Sequence, residues 1–329
     1  VVSQYFQTSV AKEFPMINAK AEELKKLITV PDFKEESYQH LSLSELSFLH
    51  NTSAELKIKN MANPQNAKFF KVREDFFMQL CQRRLQKINE LYVLMSQPTS
   101  LPYIVCDPET SNDQVWLFDS ESAANLVAND ESASRGFQIN AAKIENDKFL
   151  PFYTSLFFLG VNELLFNRGK EAFALQLDEF INKPDFTSIS TDSKPVVLNP
   201  ELVLTAAYFA QGKAGAQEKQ NNEELRDLEE EMIVNLLRGK VFVPVQMLEG
   251  QTEMKPENMR FPLIKLSNGK MFQPVCSDNN ELARFSVGQE RIRGLVIEGK
   301  NIKNVLVKEA DGVLLNPKTV KLAIPKMKL

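Results

Sequence analysis

Apolar residues recur along this chain with two periods, and the changes of period mark out its elements. Phe69, Val72, Phe76 and Leu80 follow the three-and-four spacing of one helix face, and the spacing returns at Leu225, Leu228, Met232, Ile233, Leu236 and Leu237. The second helix has a start and a stop. Asn221 can cap it with Glu224 three residues on, and Gly239 stands where a left-handed residue closes a helix. A short apolar run follows each helix, Leu91–Met95 and Val241–Val245, and reads as a buried strand.

The order then repeats about 150 residues apart. Leu101-Pro102-Tyr103-Ile104-Val105 matches Phe261-Pro262-Leu263-Ile264-Lys265, each with a proline that belongs at a strand's first residue or on an edge. Hairpin partners follow at Gln114–Phe118 and Lys270–Val275, the second announced by Asn268-Gly269. Ser120 and Ser277 are predicted as matching N-caps of helices over 121–128 and 278–285. Each copy closes with strand, helix, strand, strand: Phe137–Ile144, Phe149–Leu159, Glu163–Phe166 and Ala172–Leu177, then Gly294–Ile297, Ile302–Glu309, Val313–Leu315 and Val320–Ile324.

These matches predict an α+β fold made of two tandem copies of a small mixed-sheet domain with packed helices, residues 67–181 and 222–329, in one strand order. The alternative is a chance match of alternating patterns in two α+β domains. Residues 182–221 read as a connector with one short helix, Glu201–Gln211. Residues 1–66 form an N-terminal helical arm with a helix over Met16–Ile28, stopped by Pro31, a weaker one over Ser44–His50, and no counterpart later. The helix Phe149–Leu159 is aromatic where its counterpart is aliphatic. One sheet can bury only part of it, so the arm or the connector is expected to cover the rest.

The ordered signature resembles the SseB family, the enhanced serine sensitivity proteins. It comprises an apolar helix, Val241-Phe242-Val243-Pro244-Val245, Phe261-Pro262-Leu263-Ile264, Asn268-Gly269-Lys270, Val275-Cys276-Ser277-Asp278 opening a helix, and Asp311-Gly312-Val313-Leu314-Leu315-Asn316-Pro317. The first copy is similar in a diverged form, with Phe118-Asp119-Ser120-Glu121 at the helix start and Asn167-Arg168 where the second has Asn316-Pro317. The resemblance implies the fold and no catalytic centre, because its motifs are caps and turns.

Composition narrows the function without naming it. Hydrophobic residues at 43% and charged residues at 25% are globular averages, which excludes a disordered, collagenous or disulfide-scaffold chain. A net charge of −4 excludes nucleic-acid binding through bulk positive charge. No run reaches the length of a membrane span, and the visible start has no signal-peptide pattern; a leader ahead of Val1 stays open, and cytoplasm is the expected location. Cys81, Cys106 and Cys276 lie far apart and read as buried hydrophobes in a reducing compartment; with only His40 and His50 they offer no zinc framework.

Four strings invite a chemical reading. Gly294–Asn301 nearly spells a phosphate loop, yet Asn301 lacks the metal-binding hydroxyl, and Leu295-Val296-Ile297 makes a strand. Asp119, Glu121 and Asp278 could ligate a metal, but acids at helix starts also follow from the helix dipole. Cys276 beside a helix start could have a lowered pKa, against its plainer role at a packed junction. Arg291, Arg293, Lys300, Lys303 and Lys308, with the lysine-rich end Lys318–Lys328, could face an anionic partner or simply water. The sequence therefore assigns no catalytic, cofactor-binding or metal residue and no cofactor. It points to a non-enzymatic interaction or adaptor protein with a protein partner, with a small-metabolite binding module, its pocket between the two copies, as the alternative.

Overall fold

A computed structural model of the protein describes residues 20–329 apart from 32, 169–171, 187, 189, 190, 192–194, 216–222 and 252. The predicted cap Asn221 and the start of the predicted Met16–Ile28 helix lie outside the described residues. Three helices open the chain, α1 (Ala21–Ile28), α2 (Leu43–Lys59) and α3 (Pro64–Lys87). Helix α2 runs past its predicted end at His50 to Lys59, and in that added stretch the buried residue is Ser53 rather than an apolar one. Ser42 and Glu45 close a capping box at its start. The boundary expected at residue 67 falls inside α3, which starts at Pro64 behind the Asn63 cap.

The first half continues with β1 (Glu90–Ser96), β2 (Leu101–Pro102), β3 (Ile104–Cys106), β4 (Asp113–Phe118), α4 (Glu121–Arg135), β5 (Ile139–Glu145), α5 (Phe149–Phe158), β6 (Glu163–Phe166), β7 (Phe173–Gln176) and the single turn α6 (Leu177–Phe180). Helix α4 outruns its prediction and stops at Gly136 in the left-handed conformation. After α7 (Pro200–Gly215) come α8 (Glu223–Arg238), β8 (Lys240–Met247), β9 (Met259–Arg260), β10 (Ile264–Lys265), β11 (Met271–Val275), α9 (Asn279–Ser286), β12 (Ile292–Glu298), α10 (Ile302–Val305), β13 (Gly312–Leu315) and β14 (Leu322–Pro325). Only Ile264 and Lys265 of the predicted Phe261–Lys265 strand pair. Helix α10 is shorter than predicted because the Gln273 side chain takes both the Val305 carbonyl and the Val307 N–H, drawing the chain out of the helix.

The architecture is α+β, and the two halves pair their strands in the same way. β1 runs antiparallel to β5 over seven residue pairs, and β8 to β12 over seven. β4 is parallel to β6, and β11 to β13; β6 is antiparallel to β7, and β13 to β14. The two-pair contact of β1 with β4 becomes a single bridge, Phe242 to Cys276. Loop bonds repeat as well: the Asp113 N–H donates to Asn162 Oδ1 and the Met271 N–H to Asp311 Oδ2, both at 2.8 Å.

The expected connector is central rather than peripheral. Nine residues of α7 are buried. Gln211 bonds both backbone groups of Ile104, and the Tyr208 hydroxyl donates to Asp113 at 2.6 Å, so α7 is fastened to the first half while packing on α8 of the second. The main core runs unbroken from the first half through Leu228, Met232, Val241, Val275 and Val313. Since α2 packs on α3 as α7 packs on α8, the arm does have a topological counterpart.

Cover for the aromatic helix comes from the connector. Phe158 meets Phe186 edge-on at 4.9 Å, the Lys183 ammonium lies over Phe157 and α7 packs on α5. The arm packs instead on α3. There Arg73, 2% exposed, donates to the Ile28 and Val30 carbonyls and lies over the rings of Phe33 and Phe69.

Candidate functional site

Where β4 and β11 end, each half builds the same clasp. Asn167 and Asn316 both adopt left-handed backbone, with φ of 47° and 46°, which asparagine tolerates better than most residues. Their N–H groups bond the Leu117 and Val275 carbonyls, each at 2.8 Å. Their side-chain oxygens accept from the N–H of Asp119 at 3.1 Å and of Ser277 at 2.8 Å. This matches Asp119 with Ser277 and Ser120 with Asp278, one residue away from the pairing of Ser120 with Ser277 expected from sequence.

That shift corrects one predicted cap. Ser120 caps α4 through the Ala123 N–H as expected, but α9 is capped by Asp278, whose carboxylate accepts from the Asn280 and Glu281 N–H groups at 2.8 and 3.0 Å. Ser277 is fully buried beneath it. Its hydroxyl accepts from Asn316 Nδ2 at 2.9 Å and donates to Asp278 at 2.7 Å. In the first half the residue under the cap is an acid, so the hydroxyl comes from elsewhere: Ser44 of α2 accepts from Asn167 Nδ2 at 3.0 Å and donates to Asp119 at 3.2 Å. Asp119 thereby sits at the start of α2, where the helix dipole favours an anion. Burial nonetheless raises its pKa, offset in part by the bonds from Asn167 and Ser44.

Above Asp119 opens a cleft of about 530 Å³ between the arm, α2 and the C-terminal half of α3. Leu43, Leu46 and Leu80 are its apolar lining; Arg83 and Arg84 line it one turn beyond Leu80 on α3, and Lys87 a turn further on. The arm already meets two of these cations. Arg83 pairs with Glu35, and Arg84 donates to the Gln39 carbonyl at 2.7 Å. Of the polar groups at its floor, the Ser42 oxygen accepts from the Glu45 N–H and the Asp119 carboxylate from the Ser44 hydroxyl. Two further cavities lie along β5 and α5, lined by Lys143, Lys148 and Phe152, and between Asp113, Lys183 and Glu201, at about 550 and 480 Å³.

The strings singled out in the sequence have plain structural roles. Gly294 and Gly299 belong to strand β12 and the turn after it. A Cβ at Gly294 would strike Leu282 and Phe242, and one at Gly299 the Leu236 carbonyl, so close packing accounts for both glycines. Asp119 accepts from Ser44 in the first half, Asp278 caps α9 in the second, Glu121 is exposed at the start of α4, and no group of three His, Cys, Asp or Glu among the described residues is placed to hold a metal ion. Burial raises all three thiol pKa values, Cys81 to about 12 and Cys106 to about 11, and pushes Cys276 up well beyond its ordinary range. Lys300 pairs with Glu298 and Lys328 with Glu229, while Arg293 bonds the Glu290 and Ile292 carbonyls. Sequence reasoning missed the cleft cations, whose only signal was a basic i, i+1, i+4 cluster on the polar face of α3.

No protein-family model and no curated protein matches the chain. Among solved structures it shows a likeness to Tic22 from Plasmodium falciparum, at 11% identity over 75% of this chain and 92% of that one, and to Anabaena Tic22 (protein transport), at 9% over 70% and 92%. Both have a TM-score of 0.19, too low to establish a shared fold. No helix among the described residues is long and apolar enough to cross a membrane.

Proposed function

We propose that this protein is a non-enzymatic interaction or adaptor protein, built from two SseB-like units, that receives an acidic segment of a partner protein in the cleft between the arm and α3. The observation that carries this reading is that Arg83, Arg84 and Lys87 line one cleft together with Leu43, Leu46 and Leu80, with Glu35 of the arm already showing the kind of group these cations accept. A carboxylate partner gains charge-assisted bonds there, and the leucines take its apolar neighbours. Support for two like units comes from the repeated pairing and the repeated asparagine clasp. Three free buried cysteines suit a reducing compartment, and we place the protein in the cytoplasm on that ground. The alternative, a metabolite pocket between the two halves, gains nothing from the three cavities described, none of which is lined by residues beyond Leu204.

A fluorescent peptide of alternating glutamate and leucine tests the proposal by anisotropy. Binding that weakens as salt rises and is lost in the Arg84→Glu, Lys87→Glu double variant, at an unchanged melting temperature, is the expected result. Equal binding by wild type and double variant would overturn it.

A further inference from the structure

The two halves offer a comparison in which each strand edge serves as a control for the other. Among the described residues, β5 and β12 each pair with a strand on one side only, with β1 and β8, so the other side of each is a sheet edge. Glu145 and Glu298 occupy the same register position, which sets Ala142 and Lys143 of the first half against Leu295 and Val296 of the second. The first edge is guarded in the ordinary way. Lys143 stands in mid-strand and pairs with Glu90 and Glu145; Ala141 and Ala142 precede it and Ile144 follows. Of the other outer strands, β7 and β14 are four residues long, β14 ending on Pro325, and β2, β3, β9 and β10 are shorter still.

β12 has no charge in its middle, its charged residues Arg293 and Glu298 lying toward its ends. Gly294, Leu295, Val296 and Ile297 form an uncharged, half-buried run with no proline, in a strand of seven residues. Val296 and Ile297 each pack against a core, Val296 that of the second half and Ile297 the main one. Charge gathers at both ends, with exposed Arg291 and Arg293 before the apolar run and exposed Lys300 and Lys303 after it. Glu298 answers only Lys300, and Arg293 turns one nitrogen to backbone carbonyls.

We infer that β12 is a docking edge for an extended strand of a partner protein, apolar at its centre and acidic at both ends, which adds to the second-half sheet through backbone hydrogen bonds. Backbone pairing gives affinity in such additions, and the flanking charges set which strand is taken and its position. This surface is separate from the cleft under the arm, so the two proposals stand or fall independently.

The probe is a fluorescent, end-blocked peptide of sequence Asp-Glu-Val-Thr-Val-Thr-Val-Glu-Asp, titrated against the full chain. Saturable binding is expected, with slowed amide exchange confined to 292–298. The same peptide N-methylated at alternate residues should fail, because it cannot donate to the edge. Val296→Lys, which installs the charge that guards β5, should weaken binding about tenfold or more, whereas Val296→Thr, of similar shape, should keep it. Arg293→Glu, on an exposed side chain, gives the same reading without touching the core and should also weaken the peptide. Equal binding of the N-methylated peptide, indifference to both Val296→Lys and Arg293→Glu, or absence of any binding would overturn the inference. Self-association of the chain that Val296→Lys abolishes, with no peptide binding, would assign the edge to a second copy and overturn it too.

Discussion

Replacing Asn316 by alanine tests the clasp and the unity of the fold together. The side chain is fully buried; its oxygen is the acceptor for the buried Ser277 N–H, and its nitrogen donates to the Ser277 hydroxyl. Alanine leaves that N–H unpaired, at about 1–3 kcal/mol. It must also hold a φ of 46°, which adds about 1–2 kcal/mol for a side chain without local hydrogen bonding. The sum is about 2–5 kcal/mol, or roughly 4–10 °C at about 2 °C per kcal/mol for a long chain. Asn316→Gly removes the same bonds without the backbone strain and should lose less. The assay is thermal unfolding followed by far-ultraviolet circular dichroism and by fluorescence of Trp116, the single tryptophan, buried in the first half. Because one core runs through both halves, both signals should move down together. A tryptophan transition that stays in place while the dichroism falls would show two independently unfolding halves; no movement in either would refute the clasp.

Two further outcomes follow from buried charge. Arg73→Met removes charge-assisted bonds to the Ile28 and Val30 carbonyls and the stacking with Phe33 and Phe69, so the arm should become cleavable between α1 and α2 under limited proteolysis while the Trp116 spectrum is kept; an arm as resistant as in wild type would refute its role as the fastening. Burial raises the pKa of Asp278 above 3.8, so its contribution to stability is full below 3.8 and is lost as pH rises through the higher folded value. Urea midpoints measured from pH 4 to 7 should therefore fall less with rising pH in Asp278→Asn than in wild type; parallel curves would contradict this.

The strands were legible in the sequence because their core-facing residues are apolar and their turns carry the residues that turns need. Glu163–Phe166 is observed with the bounds the pattern gives, and the neighbouring strands differ by a residue or two at their ends. Less was legible wherever a polar side chain does the packing. The second half of α2 buries a serine, Ser53, in place of an apolar residue, and Gln273 cut α10 short. The α9 cap was misplaced by one residue because Ser277 and Asp278 are adjacent and either can cap; only the position of Asn316 decides between them. The counterpart of the arm was hidden because α2 and α7 share a place in the fold and no sequence pattern. The cleft could not be read at all. Arg83, Arg84 and Lys87 look like any solvated helix face until the arm is laid across from them.

The borrowed hydroxyl has a consequence for the order of folding. In the second half the clasp joins residues 39 apart in the chain, whereas in the first half Ser44 must meet Asn167 across 123. With closure entropy growing as the logarithm of loop length, the longer closure is about 1 kcal/mol less favourable before any contact forms. The second half, though synthesised last, can complete its clasp from its own residues, while the first must wait for α2 to be brought in. Refolding from denaturant should then show amide protection around Asn316 ahead of that around Asn167, so that the C-terminal clasp leads in time.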